Sequence, residues 1–148
     1  MQEKFHHDFE QAGLVCSPAT AYMFTVSDIA TRICLETPGV DSLDVRMFTF
    51  GTPTVGSTQS VFDMCRNPSY QLVDHKLVPY KKTFERHELV IPDSGDVVMG
   101  NQWCGGSHPF FFKNDRRVRN CNLVLATGNQ KIWKGCEELD RAYNVQLQ

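Results

Sequence analysis

Several things are missing from this sequence of 148 residues, and each absence removes a class of function. No apolar run approaches the roughly 18–20 residues needed to span a bilayer, so the sequence carries no transmembrane segment. Its start, Met1-Gln2-Glu3-Lys4-Phe5-His6-His7-Asp8, has none of the apolar core that marks a signal peptide. Charge of one sign is lacking as well. Fifteen Lys and Arg against 17 Asp and Glu leave a net charge of −2, which gives no electrostatic basis for binding nucleic acid. Arg116, Arg117 and Arg119 do cluster, but beside Asp115 they read as a solvated turn.

No CxxC spacing occurs among the six cysteines, Cys16, Cys34, Cys65, Cys104, Cys121 and Cys136. The pattern reads as reduced thiols. Cys34 and Cys65 fall on apolar helix faces, where a free cysteine acts as a small hydrophobe. Cys104, Cys121 and Cys136 form the set open to oxidation. Cys104, His108, Cys121 and Cys136 match no usual zinc-ligand spacing, so no metal and no other cofactor is expected. Internal repeats and low-complexity stretches are absent too.

What remains is 41% hydrophobic and 22% charged, ordinary for one globular domain over residues 1–148. Ser17-Pro18 opens the clearest helix, since serine suits the N-cap and proline the first helical position. Ala19, Tyr22, Met23, Val26, Ile29, Ala30, Ile33 and Cys34 then recur at three- and four-residue spacing, the pattern of one buried helical face. Thr37-Pro38-Gly39 stops it. Val45 to Phe50 reads as a strand, broken by Gly51, Pro53 and Gly56. Ser57 or Thr58 caps a shorter helix to about Arg66. Tyr70 to Val78 reads as a strand pair or one bent strand. Leu89 to Ile91 and Val97 to Met99 flank the turn-forming Pro92-Asp93-Ser94-Gly95-Asp96. Residues 100–119 read as irregular, Cys121 to Thr127 as a strand, and Lys131 to Leu147 as a closing helix. Alternating helices and strands make α/β the natural class.

Met47-Phe48-Thr49-Phe50-Gly51-Thr52-Pro53-Thr54-Val55-Gly56 resembles the block that class 3 (fungal-type) lipases carry after their nucleophile helix. Val15-Cys16-Ser17-Pro18-Ala19 falls where that family of α/β-hydrolases places its nucleophile elbow. Tyr70 to Val73 followed by Leu77-Val78-Pro79 resembles its acid-bearing strand, and Gly106 to Phe112 its histidine segment. The resemblance covers about Ser17 to Phe112 and implies a partial or truncated α/β-hydrolase-like sheet with flanking helices.

It also implies roles. Ester hydrolysis by serine needs a hydroxyl, a base to take its proton and a carboxylate to orient the base. Ser17 is the expected nucleophile, Asp74 the acid and His108 the base, with His87 second. The sequence departs from the family at Val15 and Ala19, which replace elbow glycines, and at Lys76, which takes the acid's usual place. The strands that would precede Ser17 are not represented, so an exposed sheet edge and an uncovered apolar face are expected. Two functions follow. One is a serine hydrolase acting on lipid acyl esters. The other is a catalytically inactive domain whose apolar face is buried against neighbouring protein subunits.

Overall fold

The computed structural model describes residues 2–17, 20–65, 68–80, 86–103 and 106–129, together with 131, 134, 135, 138 and 142. Its elements in chain order are α1 (Gln2–Gln11), α2 (Tyr22–Cys34), β1 (Ser42–Thr49), α3 (Val55–Cys65), β2 (Tyr70–Val73), β3 (Lys76–Pro79), β4 (Arg86–Val90), β5 (Val97–Gln102), α4 (His108–Phe112) and β6 (Asn120–Thr127).

The strands form one six-stranded sheet built around β6. β1 runs parallel to β6 in unbroken register from Ser42↔Asn120 to Thr49↔Thr127. Because β1 follows one whole edge of β6, β2 and β5 share the other. β2 meets it at Leu72↔Cys121, and β5 meets it from Gly100↔Ala126 to Gln102↔Val124. All four remaining pairings are antiparallel. The expected α/β-hydrolase-like sheet is therefore not what forms. That fold rests on successive parallel strands joined by helical crossovers, whereas here two hairpins, β2–β3 and β4–β5, separate in sequence the two strands of the single parallel pair.

Both faces of β6 are covered, which accounts for its apolar run from Leu123 to Ala126. Cys121, Leu123 and Leu125 face a larger core with Leu43, Val45 and Met47 of β1, Leu72, Trp103, Phe112 and Val118. Val124 and Ala126 face a smaller cluster with Leu89, Phe48 and Val98. The sheet is tight where β5 crosses it. A Cβ on Gly100 would stand 2.2 Å from Leu89 Cδ1 and 3.0 Å from Leu125 O, so a side chain there forces its neighbours to shift.

Local differences from the sequence-based expectation have clear causes. The residues from Tyr70 to Val78 make a hairpin whose two-residue turn is Asp74-His75, both at positive φ (47° and 63°). This is the turn geometry that matches strand twist. Residues 100–119, read as irregular, contain the end of β5 and the short α4. α2 begins at Tyr22 with Ala21 as its N-cap, and no side chain caps it. Ser17 therefore does not cap this helix, while Pro18 and Ala19 lie outside the described residues. The expected closing helix shows helical positions at 131, 134, 135, 138 and 142, and the rest of it lies outside the described residues.

The largest correction concerns the face of α2. Thr31 and Leu35 are buried, and Phe24 packs against the core. Val26 is 62% exposed, Ile29 54% and Ile33 61%, and Cys34 is exposed as well. The helix carries two apolar stripes, and periodicity alone favours the richer one. Packing buries the other.

Candidate docking groove

α2 lies beside β1, and together they enclose an open groove of about 640 Å³. Met23, Val26, Ala30 and Cys34 line one wall, one residue for each turn of the helix. The other wall is β1 along its full eight residues. Among the described residues β1 pairs only with β6, so its far edge faces the groove unpaired.

Which backbone groups face that edge follows from the ladder. Asp41 O accepts from Asn120 N, and Thr49 O accepts from Gly128 N. In a parallel pair alternate residues turn both their N–H and C=O to the same neighbour. The odd residues Leu43, Val45 and Met47 therefore bond β6, while Asp44, Arg46 and Phe48 present theirs to the open side. Side chains alternate independently of this. Leu43, Val45 and Met47 are buried in the core, while Asp44 and Arg46 are exposed on the opposite face. Arg46 Nε donates to Asp44 Oδ2 at 2.8 Å. The edge is thus long, free of bulges and charged with both signs.

Beneath α2 lies a buried polar pair. His108, wholly buried at the start of α4, stands 2.9 Å from Ser27 Oγ through Nε2. Ser27 donates its hydroxyl proton back to Met23 O, with Phe24 O a second acceptor at 3.2 Å. Burial pushes the His108 pKa below its ordinary 6.5, against the attraction of nearby Asp28. His108 Nδ1 and Asp28 Oδ1 are both buried without a hydrogen-bond partner. The Phe24 and Phe111 rings flank the imidazole at centroid distances of 6.5 and 6.3 Å.

The residues expected from sequence do not converge. Ser17 is exposed. Asp74 sits in the hairpin turn, where its Oδ1 accepts from Arg119 Nε at 2.7 Å. His108 bonds Ser27 and neither of the other two. His87 pairs with Gly100 across β4–β5, its Nε2 buried without a partner. Cys121 is a free buried thiol, its pKa raised to about 12 by desolvation, and Cys16 and Cys34 are free and exposed. Cys104 and Cys136 lie outside the described residues. Among the described residues no group of three or more His, Cys, Asp or Glu is placed to hold a metal, and no helix is long and apolar enough to cross a membrane.

Sequence reasoning missed two features. Ser27 was hidden in a helix whose other stripe was read as the inward one. The open edge was legible only in part, because the Leu43-Asp44-Val45-Arg46-Met47 alternation marks a strand without marking which edge is paired.

One family profile, described as a family of unknown function (DUF5938), matches residues 25–148. No curated protein matches the chain. The family matched is not the class 3 lipase family, so the likeness of residues 47–56 to the lipase block does not carry kinship. In this fold that block is the end of β1, a loop and the start of α3, and any strand–loop–helix junction draws on similar residues. The chain belongs to the DUF5938 family.

Proposed function

We propose that this DUF5938 member is a protein-interaction domain that docks an extended polypeptide strand along the open edge of β1, under the apolar stripe of α2. One observation carries the reading: the edge of β1 away from β6, unpaired among the described residues, runs along a groove whose other wall is Met23, Val26, Ala30 and Cys34 of α2. An edge of that kind offers main-chain hydrogen bonds to an added strand, and the adjoining apolar wall offers side-chain selectivity. Water would otherwise cover several large apolar side chains grouped on one surface, the usual mark of an interaction site.

Selection of a displayed library of linear peptides on the purified chain tests this. Peptides that bind the wild type and lose binding to Asp44→Pro support strand addition, since that substitution removes an outward-facing N–H and leaves the ladder to β6 intact. Peptides that bind both proteins equally, or no peptides at all, overturn it.

Ester hydrolysis by serine is a second reading, and one observation favours it: Ser27 Oγ lies 2.9 Å from His108 Nε2 and lines the groove. It ranks second because His108 Nδ1 is buried without a hydrogen-bond partner among the described residues, so no carboxylate orients the imidazole as a serine hydrolase requires. Hydrolysis of p-nitrophenyl esters by wild type, Ser17→Ala and Ser27→Ala decides between them. Turnover lost in either variant would restore the catalytic reading.

A further inference from the structure

We propose that the strand received by the β1 edge is β1 of a second copy, running antiparallel about a two-fold axis at Val45. The inference rests on the strand-docking reading above and names its partner.

The order Leu43-Asp44-Val45-Arg46-Met47 is self-complementary when reversed. Turned about Val45, Asp44 of one copy faces Arg46 of the other, twice, and Leu43 faces Met47. The backbone parity agrees. Asp44 and Arg46 present their N–H and C=O to the open side, so they form the hydrogen-bonded cross-strand pairs, and Val45 forms the closer non-bonded pair at the axis. Moving the axis to Asp44 sets carboxylate against carboxylate, and moving it to Arg46 sets guanidinium against guanidinium. Charge thus selects one register. Mixed charge on an edge strand ordinarily guards against association, but here the alternating signs attract a reversed copy. An axis normal to the sheet keeps each α2 on the same face, next to its symmetry mate. Val26, exposed on the groove wall of each α2, then adds apolar contact beyond a bare strand pair. The result is an isologous interface in a continuous twelve-stranded sheet, twice the six in one copy.

Sedimentation equilibrium over a concentration series tests this with wild type, Asp44→Arg, Arg46→Asp and an equal mixture of the two variants. Far-ultraviolet circular dichroism checks that each is folded. The expected result is a wild-type dimer, at least about tenfold weaker self-association for each variant alone, and a heterodimer near wild-type strength in the mixture. That recovery separates an interface charge from a structural one, because mixing repairs nothing within a chain. A wild type monomeric throughout, or variants that dimerise as wild type does, overturns the proposal. In that event the peptide selection distinguishes the two levels: strand peptides that still need the Asp44 N–H preserve docking and exclude only the self-partner.

Discussion

Asp44 and Arg46 stand two residues apart on one face of β1, side chains joined at 2.8 Å, and both turn their backbone away from β6. The charges are therefore solvent-facing while the main-chain donors and acceptors of the same residues are free. Such a strand is stable within the sheet and yet incomplete at its edge.

Proline substitution separates these two properties. Asp44→Pro removes an outward N–H and an exposed carboxylate paired with Arg46, and leaves the melting temperature near that of wild type. Val45→Pro removes an N–H bonded to β6 and disturbs a buried contact, and is expected to cost at least about 2 kcal/mol. Urea denaturation of both variants measures the difference. A larger loss in Asp44→Pro than in Val45→Pro would mean that the backbone parity is reversed.

The two stripes of α2 make a second contrast. Val26→Ser and Ile33→Ser alter exposed side chains and are expected to change stability by no more than about 0.5 kcal/mol. Leu35→Ala empties a buried position at a cost of about 2–5 kcal/mol. If the serine variants proved the costly ones in urea titrations, α2 would be turned the other way.

His108 sets a pH dependence. Its pKa is lowered in the folded chain from the ordinary 6.5, so the unfolded chain takes up a proton that the folded chain refuses. The stability held above pH 6.5 is lost as pH falls below it, toward the depressed folded value. NMR titration of the His108 ring, alongside thermal melts, reads both effects. A ring that protonates at or above 6.5 in the folded chain would remove the buried, neutral imidazole from the account.

Much of the local structure was legible in the residues. β-Branched and aromatic residues marked the strand from Val45 to Phe50, Pro92 to Asp96 marked a turn, and Cys121 to Thr127 marked the strand that became the centre of the sheet. Sheet order was not legible, because strand pairing is set by contacts between residues far apart in the chain, such as Leu43 with Cys121. The Thr-Phe-Gly block misled for a related reason: it specifies a strand end and a turn, and those fit a mixed sheet as well as a parallel one. α2 shows the limit of periodicity. Phe24, Ser27, Thr31 and Leu35 repeat at helical spacing as well as Val26, Ile29 and Ile33 do, and only the sheet decides which set it covers. The expectation of an exposed edge and an apolar face open to a partner was reached from a kinship the chain does not have. It survives as a proposal on the independent evidence of the groove.

A synthetic peptide of residues 41–49, titrated into the isotopically labelled chain below the concentration at which it self-associates, tests the docking claim most directly. The account predicts that the amides of Asp44, Arg46 and Phe48 gain protection from hydrogen exchange while those of Val45 and Met47, already bonded to β6, change little. A peptide that leaves those three amides unprotected at saturating concentration, or that protects residues away from β1 and α2, would contradict it.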